Sequence, residues 1–283
     1  VARFDPIAFR RSTLDWSRTY VCAVINVTPD SFSDGGEHAS VDSAVAFALR
    51  SIASGADLVD IGGESTRPGA RPVSEGEEVA RVLPVIRGLV EAGAGAPICI
   101  DTTKAGVARA ALEAGAEVVN DISGGRFDPA IVDVAAAAGA AYVCGHVRGA
   151  TLAQAHAAEA APPTVAEIAC GLAERVAALP PELARRTLID PGIGFGKSGA
   201  INLALLAGAG ALSSTVGRPV LVGPSRKRFL GELCGKPARQ RDDATIGACL
   251  AAVAGGAHVL RVHEAGRMRD ALTAFEAVRR RVS

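Results

Sequence analysis

The amino-acid sequence predicts an α/β chain wound as a (β/α)8 barrel, with long βα loops 1 and 2 over the C-terminal face. Three observations carry that expectation. A Gly-Ala pair introduces a short apolar run ending in polar residues four times: Gly55-Ala56 before Asp60, Gly115-Ala116 before Asn120 and Asp121, Gly139-Ala140 before His146, and Gly256-Ala257 before Arg261 and His263. Glycine just past a helix supplies a left-handed C-cap, and a run this short suits a strand buried on both faces of a parallel sheet. Eight such strand candidates alternate with eight Ala-rich, helix-favouring stretches. The 283 residues suffice for one barrel of about 250.

The elements follow in order. Residues 1–19 precede the first strand and are expected to cover the barrel floor. The strand candidates are Val21–Ile25, Leu58–Ile61, Ile98–Ile100, Glu117–Asn120, Ala141–Cys144, Leu188–Asp190, Val220–Gly223 and His258–Val262. Ser74-x-x-Glu77 and Thr164-x-x-Glu167 read as capping boxes. Asp128-Pro129 reads as an N-cap with proline at the first helical position. Asn26 to Ala39 and Gly62 to Val73 are rich in Gly, Pro, Ser and Asp and follow the first two strands, so both are expected over the barrel mouth as mobile functional loops. Arg148 to Pro163 has little internal pattern. No linker-like composition divides the chain, so residues 1–283 read as a single domain. An open doubly wound sheet also alternates strands and helices, but eight regularly spaced units favour closure.

Composition narrows the function. Lys plus Arg and Asp plus Glu number 30 each, so the formal charge is zero and nothing points to nucleic acid or an anionic membrane. No uninterrupted apolar stretch approaches the roughly 20 residues of a membrane span, and Val1 to Arg11 lacks the apolar core of a signal peptide. Cys22, Cys99, Cys144, Cys170, Cys234 and Cys249 form no CxxC pair, and three of them fall inside strand candidates. Reduced thiols in a cytoplasmic protein are the expectation.

Barrel chemistry sits at the C-terminal ends of the strands. There the sequence places Asn26, Asp60, Asp101, Asn120, His146, Asp190, Lys227, Arg261 and His263. Carboxylates and amides without a His-rich ligand spacing suit a flat heterocycle with several N–H donors, because one carboxylate accepts two parallel N–H bonds. Lys227 could bond a ring carbonyl and a ring nitrogen. Arg261-x-His263 puts two potential cations on one strand face, and with Asn26 and Arg67 they form a candidate phosphate or pyrophosphate site. Asp190 to Lys197 (DPGIGFGK) fits neither common Gly-rich phosphate-loop spacing. It reads as a tight turn bringing Phe195 to the pocket edge, where a second flat substrate could stack. His146 stays ambiguous, His38 is expected in a loop, and His38 and His156 are expected in solvent.

These residues lie in longer runs: NVTPDSFSDGG from Asn26, DIGGESTRPG from Asp60, Ile100-Asp101-Thr102, Asn120-Asp121-Ile122, DPGIGFGK from Asp190, Ser225-Arg226-Lys227 and Arg261-Val262-His263. In this order they resemble the dihydropteroate synthase family of pterin-binding TIM barrels over nearly the whole chain. The resemblance implies joining 6-hydroxymethyl-7,8-dihydropterin pyrophosphate to para-aminobenzoate, through a pterin cation formed as pyrophosphate leaves. It implies that Asp101, Asn120, Asp190 and Lys227 hold the pterin, that Arg261 stacks on its face and that Ile122 is a substrate-binding residue. Asn26, Arg261 and His263 would handle the pyrophosphate with Mg2+, Asn26 being the metal ligand. Thr66, Arg67, Pro68, Phe195, Ser225 and Lys227 would shape the aminobenzoate site. Asp101, Lys227, Arg261 and His263 carry the catalytic roles in this reading. It also implies a cytoplasmic homodimer whose partners are small-molecule substrates.

One stretch departs from the family. Gly145-His146-Val147-Arg148-Gly149 stands where Met-His-Met-Arg-Gly is usual, and Gly145 replaces a pocket-lining Met. Two other functions remain to be separated. A methyltetrahydrofolate–corrinoid methyltransferase also binds a pterin in a barrel, but has no use for a pyrophosphate clamp or the STRPG loop. A catalytically silent scaffold has no use for the intact charged set.

Overall fold

The computed structural model describes residues 4–27, 36–67, 69–157 and 162–281. A short antiparallel hairpin comes first, β1 (Ile7–Ala8) paired with β2 (Thr13–Leu14). Eight parallel strands follow: β3 (Tyr20–Asn26), β4 (Leu58–Gly62), β5 (Ile98–Asp101), β6 (Val118–Asp121), β7 (Ala141–Gly145), β8 (Thr187–Asp190), β9 (Leu221–Val222) and β10 (Val259–Val262). Their order is β8-β7-β6-β5-β4-β3-β10-β9. A parallel bridge between Ile189 and Val220, with the Ile189 N–H on Pro219 O at 2.9 Å, joins the two ends and closes the ring. The expected (β/α)8 barrel is the observed fold.

Period-two alternation splits the core in two. Val21, Ala23, Ile25, Val59, Ile61, Ile100, Val119, Ile189 and Leu260 face outward and pack on the helices. Cys22, Leu58, Cys99, Val118, Val143, Leu188, Leu221 and Val259 form the inner cluster, which Ile7 and Leu14 of the hairpin complete. The N-terminal segment therefore covers the floor.

The surrounding helices are α1 (Gly36–Ala53), α2 (Glu75–Glu91), α3 (Ala105–Ala114), α4 (Ala130–Ala137), α5 (Leu152–His156), α6 (Val165–Ala178), α7 (Pro181–Arg185), α8 (Gly199–Ala207), α9 (Ala209–Val216), α10 (Arg228–Cys234), α11 (Asp242–Ala254) and α12 (Ala265–Arg279). The four Gly-Ala pairs end α1, α3, α4 and α11. Gly55, Gly115, Gly139 and Gly256 all have positive φ. In each, the alanine N–H reaches back five residues (Ala56 to Ser51 O, Ala116 to Ala111 O, Ala140 to Ala135 O, Ala257 to Ala252 O, 2.9–3.0 Å). That is the Schellman closure. Gly93-Ala94 after α2 repeats it.

Three expectations shift. Helix α1 begins at Gly36, so loop 1 ends earlier than Ala39 and His38 lies in a helix. Residues 28–35 of that loop and Pro68 of loop 2 lie outside the described residues. Thr164 forms the full capping box on α6, whereas Ser74 caps α2 one way only, from the Glu77 N–H. Glu77 instead pairs with Arg81 at 2.6 Å and Arg71 at 3.4 Å. Asp128 serves two helices, taking the Ala130 N–H at 3.2 Å and the Ala105 N–H at 2.7 Å. Among the described residues no single helix is long and apolar enough to cross a membrane, and the six cysteines are free thiols.

Candidate active site

The alternation that builds the floor also builds the site. Two residues beyond Leu58, Cys99, Val118, Leu188 and Val259 on the inner face come Asp60, Asp101, Asn120, Asp190 and Arg261. Arg261 lies at their centre. Its Nε donates to Asp60 Oδ2 and its Nη2 to Asp101 Oδ2, both at 2.5 Å. Asn120 Nδ2 donates to the same Asp60 oxygen at 2.9 Å. Asp60 Oδ1 and Asn120 Oδ1 remain buried without a partner, so the layer holds spare acceptors. Asp190 accepts the Gly192 N–H at 2.8 Å, which anchors the turn after β8.

Burial dominates the electrostatics of this layer. It pushes Asp101 up to about 7, against the opposing pull of Arg261. It raises Asp190, against the Gly192 N–H and the Lys227 charge. It lowers Lys227 to about 8, helped by Arg261 and opposed by Asp190 and Asp101. Burial also works against the charge of Arg261, but Asp60 and Asp101 outweigh it and raise its pKa. The guanidinium is therefore the fixed cation, while Asp101 and Lys227 are poised near neutrality.

His263 differs from its expected role. Burial and the charges of Arg226, Arg261 and Arg67 lower it to about 3, so it is a neutral imidazole rather than a second cation. Ser225 Oγ lies 2.8 Å from its Nδ1 and accepts the His263 main-chain N–H at 3.3 Å. When the Ser225 hydroxyl donates to Nδ1, the ring proton sits on Nε2, which presents a neutral donor. The loop carrying Ser225 and Lys227 is fixed from behind. Arg226, at φ 59°, makes two bonds to Asp242 at 2.7 and 3.0 Å and one to Glu264 at 2.9 Å. Arg241 donates to the carbonyls of Arg226 and Lys227.

A second, flatter patch adjoins this layer. Lys227 Nζ lies 4.3 Å from the Phe195 ring centre. His156 stacks on Phe195 at 5.0 Å and 29°, with its Nε2 2.6 Å from Thr66 O. Ile122, Val147, Ala155 and Phe195 form a small apolar cluster there, apart from the main core. Arg67 lies near enough to lower both Lys227 and His263.

Residues 22–263 match the family described as pterin binding enzyme. The chain belongs to that family. It is 44% identical over 264 residues to a dihydropteroate synthase of Mycobacterium leprae, covering 89% of this chain and 90% of that one. Among solved structures, the Xanthomonas albilineans dihydropteroate synthase with 4-aminobenzoic acid superposes with a TM-score of 0.87 at 46% identity, covering 94% of this chain and 95% of that one. The same enzyme in complex with 7,8-dihydropteroate gives 0.84 at 43%, covering 95% and 97%.

In this pterin-binding barrel, the inner layer brings Asp101, Asn120, Asp190, Lys227 and Arg261 together. Asn26 ends β3 on the inner face, and Thr66, Phe195 and Ser225 border the layer. His146 does not join them. It falls one step out of phase, on the outer side against Gly171 of α6. Burial and the Lys197 and Arg175 charges lower it to about 3. Asp121 is out of phase too and holds the Ser123 and Gly125 N–H groups and the Tyr142 hydroxyl. His156 is half-buried at the patch rather than solvated. Lys104 carries no sequence signal for its role. It ties Glu64 of loop 2 to the buried Glu78 at 2.7 and 2.5 Å, with Glu64 also holding the Val73 N–H.

Among the described residues no three His, Cys, Asp or Glu side chains cluster for a metal. A Mg2+ that arrives on substrate phosphates needs only one or two protein oxygens and keeps several waters. The Asn26 amide at the mouth is a donor of that kind, so the residues fit a metal carried by the substrate.

Proposed function

We propose that the chain condenses 6-hydroxymethyl-7,8-dihydropterin pyrophosphate with para-aminobenzoate to give 7,8-dihydropteroate and pyrophosphate in folate biosynthesis. We read residues 1–283 as one catalytic unit working in the cytoplasm. The observation that carries the reading is the inner layer itself: Asp101, Asn120 and Asp190 as acceptors, with Lys227 and Arg261, gathered in an otherwise apolar interior. A fold does not bury four ionisable groups together for stability alone. A pterin ring edge, rich in N–H donors with one carbonyl, matches that set.

In this reading Asp101, Asn120, Ile122, Asp190 and Lys227 hold the pterin, and Arg261 lies on its face. Asn26, Arg261 and the neutral His263 receive the pyrophosphate, with Asn26 holding Mg2+. When bound, Mg2+ neutralises charge gathering on the leaving group. Thr66, Arg67, Pro68, Phe195, Ser225 and Lys227 receive para-aminobenzoate.

The C–O bond breaks first, and its electron pair leaves with pyrophosphate. Asp101, fixed by Arg261, faces the cation left at the methylene carbon and stabilises it without reorganising. The neutral aromatic amine then attacks that carbon and releases a proton. No enzyme nucleophile is required. Pyrophosphate release on mixing the two substrates is the expected result; none with well-folded protein overturns the reading. Sulfonamides, which present a similar aniline, should compete with para-aminobenzoate. Noncompetitive inhibition would remove Phe195, Ser225 and Lys227 from that site.

A further inference from the structure

The ends of β6 and β7 meet backbone to backbone. A Cβ on Gly145 would overlap the main chain of Ile122, and one on Gly124 would sit 2.6 Å from the Gly145 carbonyl oxygen. Only glycine at both points permits this approach, and it crowds the carbonyls of Ser123, Gly145 and Val147. Parallel carbonyl dipoles repel, and buried ones require donors. Arg175 of α6 supplies them. Its Nη1 donates to Ser123 O at 3.1 Å and Gly145 O at 2.5 Å, and its Nη2 to Val147 O at 2.9 Å. Lys197 takes the carbonyl between, donating to His146 O at 3.1 Å as well as to Gly192 O and Phe195 O. Three successive carbonyls at the β7 exit thus each end on a cationic side chain.

The strand registers show what this junction controls. Asn120 of β6 pairs with Val143 of β7, and Gly145 pairs with Asp190 of β8. The β7 exit is therefore the spacer between Asn120 and Ile122 on one side and Asp190 on the other. Burial lowers the pKa of Arg175, so the fold keeps a charge there against a desolvation cost that an apolar side chain would avoid. A planar fork of donors is what converging carbonyls need.

We propose that Arg175 is a positioning residue for the pterin site, setting the separation of Asn120 and Ile122 from Asp190 without touching substrate. The proposal rests on the function proposed above. Beside Arg175, a groove of about 460 Å³ between α4 and α6 is bordered by Gly124, Gly125, Val132, Leu179 and Pro180. It offers a free guanidinium ion a route to the vacated position in an Arg175→Met variant.

The test is calorimetry of 6-hydroxymethyl-7,8-dihydropterin on wild type and Arg175→Met, with and without about 10 mM guanidinium chloride, far below denaturing concentrations. Sodium chloride and urea at the same concentration are the controls. Pterin affinity should fall about tenfold or more and recover substantially with guanidinium alone. The aminobenzoate KM at saturating pterin substrate should stay within about twofold of wild type, a split that general loosening would not give. If Arg175→Met does not fold, Arg175→Lys carries the test. A single point-like ammonium does not reproduce the planar fork whose two nitrogens reach Ser123 O, Gly145 O and Val147 O, so its pterin affinity should still fall, and normal affinity there overturns the proposal. Wild-type pterin affinity in folded Arg175→Met, or recovery equal with sodium chloride, also overturns it. Absence of pterin binding by wild type would instead remove the functional reading on which it rests.

Discussion

At the barrel floor the inward residues of β4, β5, β6, β8 and β10 are Leu58, Cys99, Val118, Leu188 and Val259. Two residues on, they are Asp60, Asp101, Asn120, Asp190 and Arg261. The layers are about 7 Å apart along the same strands. The lower layer is covered by Ile7 and Leu14 and contributes apolar burial. The upper one holds charges that burial destabilises, and networks behind it keep them in place: Arg226 with Asp242 and Glu264, Lys104 with Glu64 and Glu78. One period-two repeat thus supplies stability at one end and chemistry at the other. Substitutions in the two layers should separate cleanly into those that unfold and those that inactivate.

The sharpest form of this contrast lies within β8. Asp190→Asn turns an amide donor toward N–H groups and leaves buried groups unpaired, so pterin affinity should fall between about 100- and 1,000-fold with the fold intact. Leu188→Ala, one layer below, should cost about 2–5 kcal/mol of stability through its cavity while pterin affinity stays close to normal. Calorimetry and urea unfolding on both proteins decide it. Swapped phenotypes would break the division between floor and mouth.

Lys227 tests the cost of the charged layer. Its pKa is about 8 in the fold against 10.5 ordinarily. Between those values the unfolded chain binds more protons, so this lysine makes stability rise with pH across that window; below pH 8 its full destabilising contribution applies. Lys227→Met should remove that rise, read as urea midpoints from pH 7 to 10.5. It should also lower turnover roughly 100-fold, the scale of losing one preorganised charge at a reacting centre. An unchanged pH slope would mean that Lys227 is not buried as described.

The contrast also explains what could be read from the residues alone. The Schellman glycines and the apolar runs depend on local chemistry and alternation, so the strands were legible to within a residue or two. The same alternation, applied strictly, separates Asp60 and Asn120 from Asp121 and His146, which lie one step out of phase. Arg175, Lys197 and Lys104 were not legible. A long cationic side chain carries no signal of which carbonyl or carboxylate it will reach, and Ser123, His146 and Glu64 each lie dozens of residues from the side chain that reaches them. Gly145 stands out in the sequence as a departure, but its contact with Ile122 is made only in the folded chain.

The smallest expected effect concerns His156, which lies in a stretch without periodicity and whose sequence context points to solvent. It joins three strand exits at the mouth: its own segment after β7, Phe195 after β8, and Thr66 after β4. Burial lowers its pKa, and Lys227 adds to this against the Thr66 carbonyl. The neutral ring with its proton on Nε2 therefore donates to Thr66 O at ordinary pH. His156→Ala removes an aromatic contact of about 0.5–1.5 kcal/mol and a hydrogen bond of similar size. Phe195 keeps its main-chain bonds to Gly192 and Lys197 and its contact with Lys227, so only part of that loss should reach the substrate. The aminobenzoate KM should rise about three- to tenfold with pterin affinity unchanged. His156→Phe, which keeps the stack and loses the Thr66 bond, should fall between wild type and alanine. Steady-state kinetics on the three proteins measures the effect. A KM that falls in His156→Ala would mean that the ring competes with para-aminobenzoate for the face of Phe195, making α5 a cover to be displaced rather than a wall of the site.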